Sequence, residues 1–247
     1  MFTYGIVLAA GRGARMDSDV PKPAIIVDGK PIIKRIVDSL RGAAIDEIIV
    51  VVGYKKEYIE AILKNEVTYV VQKELSGTAT AVKEVVPYIE EKSEVIIIPG
   101  DIPYLNKETV QSILNFHHIG HNDLTVVSMS LEDPTGYGRI IKDQNRVKIV
   151  EERDATESEK KIKEVNTGII VTLEKVIKDN IGKINNNNQK GEYYLTDIVE
   201  LASLNNQVGV YHMANSIPVI GVNDLNALNS LQEKVKNNWQ NDENVVK

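Results

Sequence analysis

Residues 4–23, YGIVLAAGRGARMDSDVPKP, join a short apolar run to a turn that is rich in glycine and basic residues. The continuous apolar run Tyr4–Ala9 is typical of a strand that is covered on both faces of a parallel sheet. Open parallel sheets bind ligands beyond the carboxyl ends of their strands. The stretch therefore predicts either a phosphate-binding turn or a basic turn on an ordinary protein surface.

The first half of the chain alternates between strand-like and helix-like patterns. The segment PIIKRIVDSL places its apolar residues at helical spacing behind Pro31, a residue type favoured in the first helical turn. Strand-like EIIVVVG, VTYVVQ and EVIIIPGD alternate with helix-like KKEYIEAILK and TATAVKEVVPYIEE, the last expected to be helical up to Pro87. This order predicts an α/β fold with a mainly parallel central sheet flanked by helices.

The second half of the chain has a different pattern. Four short strand patterns, LTVVSMS, GRIIKD, RVKIVEE and NTGIIVT, come in succession, and KDQNR is typical of a hairpin connection. Helices are expected near 173–186 and 195–204, a strand at VGVYHM and a last helix in DLNALNSLQEKVKNNW. We expect this half to form a smaller mixed β part that supplies a second wall of the site.

Composition limits the classes of function. The chain has 247 residues, of which 43% are hydrophobic, and its formal net charge is −6. These values predict a globular protein and exclude a surface that coats nucleic acid, while a local basic pocket for an anion stays compatible. Cysteine is absent, so no disulfide or thiolate metal site can form. Because a basic leader and any apolar run of about 18 residues are absent, the sequence predicts a cytoplasmic protein with no membrane partner.

The turn after the first strand matches neither of two common phosphate-binding motifs. It lacks the GK[ST] ending of a P-loop. It also departs from the dinucleotide fingerprint, because Met16 stands in place of the third glycine after Gly11 and Gly13. Backbone N–H groups of a glycine-rich turn can still approach an anion closely, and Arg15 and Lys22 add positive charge.

A second polar feature follows the buried strand pattern EVIIIP, where Asp101 comes directly after Gly100. A carboxylate at the carboxyl end of a strand is well placed to hold a hard divalent cation, which prefers oxygen ligands and keeps several waters. The alternative is an aspartate that caps a helix or stabilises a turn.

Together, LAAGRGARM, PKP and GDIP resemble the motifs of the sugar-nucleotide pyrophosphorylases, nucleotidyltransferases with a Rossmann-like (GT-A type) fold. The segments EDPTGYGRI, IVEERDATESEKKIKEVNTGIIV, NNNNQKGEYYLTDIVELA and GVNDLNAL resemble the N-acetylglucosamine-1-phosphate uridylyltransferase (pyrophosphorylase) domain of the bifunctional bacterial enzymes of UDP-N-acetylglucosamine synthesis. The resemblance runs in order from about Tyr4 to about Leu231. It implies a nucleotidyltransferase domain over 1–227 and a linker-like helix and tail over 228–247. No hexapeptide-repeat acetyltransferase domain is expected.

The resemblance implies roles at the nucleotide end of the site. The backbone of four residues would lie along the nucleotide: Leu8, Ala9, Ala10 and Gly11. Arg15 and Lys22 would be the catalytic cations that contact the phosphates. Three residues would read the uracil base, whose edge an amide and a backbone N–H can match: Gln72, Gly77 and Thr78.

The resemblance also implies a metal site and a sugar site. Mg²⁺ is the implied cofactor, held by Asp101 and Asn223. Four residues would surround the N-acetylglucosamine moiety: Gly138, Glu151, Asn166 and Thr196. Three of these assignments have a plainer alternative, in which Glu151 is a solvated strand end, Asn166 a turn residue and Asn223, together with Asp224, a helix cap.

Three places depart from the family pattern. Pro99 stands where an aromatic residue usually precedes Gly-Asp, and Ile220 stands where an acidic residue is expected. The loop LSGTATA differs from the family around the base, at positions Ser76, Ala79 and Thr80. These departures bear on base and sugar selectivity and leave the phosphate and metal positions intact.

The implied reaction joins UTP to N-acetylglucosamine 1-phosphate, with UDP-N-acetylglucosamine and pyrophosphate as products. Two alternatives stay open. A related enzyme would use glucose 1-phosphate with UTP or dTTP, and a non-catalytic sugar-nucleotide sensor would bind without turnover. We expect no nucleic-acid partner and a monomer or weak homo-oligomer.

The segment HHIGH places His117 and His121 four residues apart, the spacing of a zinc-binding helix. Gly120 interrupts the helix, and no carboxylate follows at the motif spacing. We interpret the segment as an exposed helix end, with a metal site as the alternative.

Overall fold

A computed structural model describes residues 1–12, 20–143 and 146–245 of the chain, with side chains described up to residue 238. Within these ranges a nine-stranded mixed sheet forms the centre of the molecule, and two short strands form a separate ribbon. The strands are β1 (Thr3–Ala9), β2 (Ile26–Val27), β3 (Lys30–Pro31), β4 (Glu47–Val52), β5 (Thr68–Val71), β6 (Glu94–Pro99), β7 (Leu124–Ser130), β8 (Arg139–Asp143), β9 (Arg146–Val150), β10 (Glu164–Leu173) and β11 (Val208–Met213).

The central sheet has the strand order β11-β7-β10-β6-β1-β4-β5. The strands from the first half of the sequence pair in parallel with one another: β6 with β1, β1 with β4, and β4 with β5. Strand β10 is antiparallel to both β6 and β7, and β11 is parallel to β7. Strands β8 and β9 form an antiparallel hairpin that pairs with β10 through β8. The predicted fold class and the predicted hairpin are therefore confirmed.

Helices cover both faces of this sheet. They are α1 (Ile32–Gly42), α2 (Lys56–Leu63), α3 (Thr78–Val85), α4 (Lys107–Ile119), α5 (Glu174–Asn180), α6 (Asp197–Ala202) and α7 (Leu225–Val245). Alternate residues of β1 enter different apolar clusters, because Val7 packs with the α1 side and Ile6 with the α3 side. Burial on both faces explains why the β1 sequence is continuously apolar. None of the helices in the described ranges is both long and apolar enough to cross a membrane.

Three element boundaries differ from the sequence-based expectation. Helix α1 begins after Pro31, which has an extended backbone (φ −58°, ψ 141°) and pairs with Ile26 in the β2–β3 ribbon. Helix α5 ends at Asn180, and a 3₁₀ turn that contains the weak helix former Gly182 follows it. Helix α6 covers only residues 197–202 of the expected 195–204.

The interpretation of HHIGH as an exposed helix end is wrong for His117, which is 2% exposed. Helix α4 packs this residue against the sheet, where its Nδ1 lies 2.9 Å from Thr125 Oγ1 and burial lowers the pKa of the imidazole. The half-exposed His118 places its Nε2 2.7 Å from the buried carboxylate of Glu94. Both histidines therefore satisfy polar groups in the core. Within the described ranges, no group of three or more His, Cys, Asp or Glu side chains is arranged to hold a metal ion.

Candidate active site

A cavity of about 740 Å³ opens at the carboxyl ends of β1 and β6. Its lining comes from the turn after β1, from residues 72–81, from the end of β6 and from residues 151–196. We name its parts after the roles that the resemblance implies: the phosphate end around Lys22 and Asp101, the base end around Gln72, and the sugar end around Glu151 and Thr196. Most of the predicted site residues line it: Leu8, Ala9, Ala10, Gly11, Lys22, Gln72, Gly77, Thr78, Asp101, Glu151, Asn166 and Thr196. Motifs from both halves of the sequence therefore meet in one cavity.

At the cavity, the carboxyl ends of β1 and β6 are in close contact. The Gly100 N–H donates to the Leu8 carbonyl at 2.9 Å, and a Cβ at Gly100 would lie only 2.7 Å from that oxygen. Gly11 is different, because a Cβ there would meet no described atom within 4 Å. None of the described residues therefore fills the space in front of the Gly11 backbone, where a phosphate could approach.

A cation lies between the two predicted metal ligands. The Lys22 ammonium Nζ is 2.9 Å from Asp101 Oδ2 and 3.3 Å from Asn223 Oδ1. The Lys22 and Asp101 side chains are 14% and 24% exposed, so the pair lies mostly out of solvent while facing the cavity. Two oxygen ligands from distant parts of the sequence therefore converge on one position that a positive charge occupies.

The loop before α7 brings Asn223 to this position. The Val222 N–H donates to the Asp101 carbonyl at 3.0 Å, and the hydroxyl of Tyr137 donates to the Gly221 carbonyl at 3.1 Å. Asp224 caps α7, because its Oδ1 accepts from the Ala227 N–H at 2.8 Å. The helix-cap alternative is thus correct for Asp224, whereas the Asn223 side chain contacts the Lys22–Asp101 pair.

The chemistry of this position suits a hard divalent cation. Asp101 and Asn223 offer one carboxylate and one amide oxygen, and the Lys22 ammonium stands in for a bound cation. Mg²⁺ is typically held by one or two carboxylates together with waters and substrate phosphates. The residues present therefore fit Mg²⁺ if the nucleotide completes its coordination.

The predicted base-reading residue Gln72 is 7% exposed and fixed by its side-chain nitrogen. Its Nε2 lies 3.0 Å from the Glu74 carbonyl, 2.9 Å from the Gly77 carbonyl and 2.9 Å from Thr80 Oγ1. Among the described residues, none donates a hydrogen bond to Gln72 Oε1. The oxygen is therefore the part of the amide that this residue can offer to a ligand.

The loop at 74–80 is joined to residues 193–195 from the other end of the cavity. The Tyr193 N–H donates to the Ser76 carbonyl at 2.8 Å, and the Ala79 N–H donates to the Tyr193 carbonyl at 3.0 Å. Gly77 lies between these bonds with φ +138°, where a Cβ would collide with the Tyr193 backbone. Thr78 Oγ1 accepts from the Leu195 N–H at 2.9 Å.

The predicted sugar residues form the opposite end. Thr196 Oγ1 donates to Glu151 Oε1 at 2.9 Å, and the Asn166 N–H donates to the Gly138 carbonyl at 2.8 Å. Gly138 is not a lining residue, but a Cβ there would lie 2.8 Å from Ile149 Cγ2, so a larger residue would require Ile149 to shift beside Glu151. Asn166 Oδ1 also accepts from the N–H of Gly168, so the turn alternative is correct for its oxygen.

Glu151 is not the solvated strand end that its sequence context offered as an alternative. Burial raises the pKa of its carboxyl group, although the Thr196 hydroxyl opposes that shift. The neighbouring Asp197 has its pKa raised to about 6, first by burial and then by the charges of Glu151, Glu200 and Asp154. We call this cluster of Glu151, Asp154, Asp197 and Glu200 the acidic pocket; of these four, Glu151 lines the cavity and can accept from hydroxyl and amide donors there.

The predicted catalytic Arg15 lies outside the described residues. The cavity residues that the sequence reasoning did not assign to the site include Arg12, Lys190 and Tyr194. Arg12 belongs to the same basic turn as Arg15, and its guanidinium carbon lies 6.0 Å from the centre of the Tyr54 ring. Lys190 Nζ lies 5.9 Å from the centre of the Tyr194 ring. The positive charge of Arg12 in this turn could have indicated its place in the site. The position of Lys190 depends on the conformation of an irregular loop, which sequence patterns do not predict.

Residues 5–159, more than half of the chain, match the MobA-like NTP transferase domain. The chain belongs to this family of nucleotidyltransferases. It is 40% identical over 239 residues to the bifunctional protein GlmU of Acholeplasma laidlawii (strain PG-8A), covering 96% of this chain and 52% of that protein. It is 44% identical over 198 residues to the bifunctional protein GlmU of Thermoanaerobacter pseudethanolicus (strain ATCC 33223 / 39E), covering 79% and 43%. The resemblance drawn from the motifs is confirmed, and the chain spans about half the length of these relatives.

Two solved structures share the fold. A UDP-glucose pyrophosphorylase complexed with UDP-glucose superposes with a TM-score of 0.77 at 15% identity, covering 96% of this chain and 100% of that one. A protein from Bacillus anthracis, assigned as a glucose-1-phosphate thymidylyltransferase, superposes with a TM-score of 0.76 at 20% identity, covering 93% of each chain. These likenesses confirm the predicted Rossmann-like nucleotidyltransferase fold.

Proposed function

We propose that this chain transfers UMP from UTP to N-acetylglucosamine 1-phosphate, releasing pyrophosphate and forming UDP-N-acetylglucosamine. The observation that carries the proposal is a single cavity that brings together a cation with metal-binding oxygens and a set of groups suited to hydrogen bonds with a sugar. A cation and oxygen ligands, Lys22, Asp101 and Asn223, lie at the phosphate end. Hydrogen-bonding groups around Glu151 and Thr196 lie at the sugar end. The relatives named bifunctional protein GlmU support this choice of reaction.

The chemistry requires positioning and charge stabilisation more than proton transfer. The phosphate oxygen of the sugar substrate is already ionised near neutral pH, so no general base is needed for its in-line attack on the α-phosphorus. Lys22 would stabilise negative charge at the α-phosphate, and Arg15 would stabilise the departing pyrophosphate. Asp101 and Asn223 would hold Mg²⁺, which when bound neutralises phosphate charge and aligns the reacting oxygens.

The sugar end would recognise its substrate by directional hydrogen bonds. Glu151 accepts from hydroxyl donors, and its position is fixed by Thr196. Asn166 uses its oxygen within the protein, so its side-chain N–H₂ is the group that it can offer to an acetamido carbonyl. This combination favours an N-acetylated sugar over plain glucose.

Pyrophosphate release from UTP and Mg²⁺ with a panel of sugar 1-phosphates tests the proposal. We expect N-acetylglucosamine 1-phosphate to give the highest kcat/KM. A preference for glucose 1-phosphate, or for dTTP over UTP, would instead identify a related pyrophosphorylase. Tight nucleotide binding without pyrophosphate release from any sugar phosphate would identify a non-catalytic sensor.

A further inference from the structure

The hydrogen-bond network around Gln72 decides which end of its amide faces the ligand. The Glu74 and Gly77 carbonyls, both within 3.0 Å of Nε2, can only accept hydrogen bonds. If the amide were reversed, its oxygen would face two carbonyl oxygens. The arrangement therefore fixes the nitrogen inward and the oxygen toward the cavity.

Thr80 is the hub of this network. Its hydroxyl donates to the Gly77 carbonyl at 2.8 Å, so its lone pairs are directed to donors. Gln72 Nε2 donates to the hydroxyl oxygen of Thr80 at 2.9 Å, and the hydroxyl of Ser76 donates to that oxygen at 3.3 Å. The Thr80 hydroxyl, in the first turn of α3, therefore contacts both the Gln72 amide and the Gly77 carbonyl that also accepts from this amide.

The orientation of the Gln72 amide determines which pyrimidine base it can bind. Uracil carries a hydrogen-bond donor at N3, whereas cytosine carries a lone pair there. A fixed Oε1 accepts from the uracil N3–H and repels the lone pair of cytosine. Thymine has the same N3–H, so an oxygen at this position does not distinguish UTP from dTTP.

We propose that Thr80 is a positioning residue for pyrimidine selection, which acts together with the Glu74 and Gly77 carbonyls to hold the Gln72 amide so that only its oxygen meets the base. This inference rests on the proposed function, because it assumes that the base lies against Gln72. It extends that function by assigning base choice to a hydroxyl that need not touch the nucleotide.

The test compares nucleotide binding in three variants with that of the wild type. Thr80→Val removes the hydroxyl at nearly constant volume, and Thr80→Ser keeps it. Thr109→Val is the matched control, because Thr109 is likewise the third residue of a helix and its hydroxyl makes no hydrogen bond to a described residue. Calorimetric titration with UTP, dTTP and CTP gives the affinities, and circular dichroism checks that each variant is folded.

We expect the UTP-over-CTP preference of Thr80→Val to fall about five- to tenfold, the scale of one hydrogen bond, with dTTP following UTP. In steady-state assays of pyrophosphate release, the KM of Thr80→Val for UTP should rise. Its kcat with N-acetylglucosamine 1-phosphate should change less than twofold. Thr80→Ser and Thr109→Val should keep the wild-type preference. If Thr80→Val does not fold, Thr80→Ala removes the same hydroxyl.

Two results would overturn the inference about Thr80 while leaving the proposed reaction standing. One is an unchanged UTP-over-CTP preference in the folded hydroxyl-free variant. The other is an equal loss in Thr80→Ser, which would mean that the threonine methyl group matters instead. A third result, a wild type without preference for UTP over CTP, would overturn the inference together with the choice of UTP in the proposed function. The converse is a preference that depends on Thr80 without pyrophosphate release from any sugar phosphate; it supports the inference and rejects the proposed function.

Discussion

At the scale of single residues, sequence reasoning locates Asp101 better than Asn223, although both belong to the phosphate end of the site. Asp101 could be predicted near the turn after β1 because both follow adjacent parallel strands, whose carboxyl ends meet at one sheet edge. Asn223 could not be placed by such reasoning, since it is 122 positions further along the chain than Asp101. Only the family resemblance indicated it, and loop contacts with Asp101 and Tyr137 bring it there.

The Asp101 carboxylate is expected to be essential for turnover. Asp101→Ala removes a metal ligand and leaves Lys22 without its ion-pair partner. We expect kcat to fall about 100-fold or more, the scale of losing one key electrostatic contact. Steady-state pyrophosphate release measures the effect, with Asp143→Ala on the β8 strand as the control. A rate near that of the wild type would remove Asp101 from the metal site.

The Lys22 ammonium is expected to compete with a divalent cation for Asp101 and Asn223. Lys22→Met removes the competing charge at 2.9 Å from the carboxylate, so we expect Mn²⁺ to bind at least about fivefold more tightly in the absence of nucleotide. Turnover should fall despite this gain, because the α-phosphate loses its cation. Electron paramagnetic resonance of Mn²⁺ gives the affinity, and Lys30→Met, which breaks an exposed ion pair, is the control. Unchanged or weaker Mn²⁺ binding would show that the two cations do not share this position.

At the scale of elements, the loop at 74–80 and the segment 193–195 behave as one structural unit. Three hydrogen bonds join them, and two of these use backbone groups on both sides. The sequence predicts α3 from its apolar spacing but gives no sign of this junction, because the contacts depend on backbone atoms separated by more than 100 positions. The loop at the base end is therefore hydrogen-bonded directly to the segment that precedes Thr196 at the sugar end.

Gly77 is the position where this connection can be tested. Gly77→Ala places a Cβ against the Tyr193 carbonyl in a backbone conformation with φ +138°. We expect the loop and the segment to separate, raising KM for UTP and KM for the sugar phosphate together, each by about tenfold or more. Gly29→Ala is the control, because Gly29 has φ +78° but no described atom lies within 4 Å of its Cβ position. An increase in KM for UTP alone would contradict the connection.

At the scale of the whole molecule, the two halves of the sequence were predictable to different degrees. The parallel half follows from its alternating patterns, because strands covered on both faces must be apolar throughout and their helices must be amphipathic. In the second half, the strands were predicted correctly, but helices α5 and α6 were predicted to be longer than they are, because each ends in a turn. Burial of His117 also escaped prediction, because its partners on β6 and β7 are visible only in the folded chain.

The acidic pocket is expected to make global stability depend on pH. The pKa of Asp197 is raised to about 6, so the folded chain retains a proton that the unfolded chain releases near pH 4. The folded state therefore binds more protons than the unfolded state between these values. Consequently, the contribution of Asp197 to stability decreases as pH rises from about 4 to about 6 and is constant above.

Replacing this carboxyl with a neutral amide should remove that loss. We expect Asp197→Asn to be more stable than the wild type by about 1 kcal/mol at pH 8 and to gain nothing at pH 4, allowing for partial solvent screening. Urea unfolding at both values measures the difference, with the exposed Asp179→Asn on α5 as the control. An equal change in stability at both pH values would mean that the substitution acts through packing. Because Asp197 follows Thr196 directly, a gain at pH 8 with unchanged KM for the sugar phosphate would further show that its charge serves neither the fold nor the substrate.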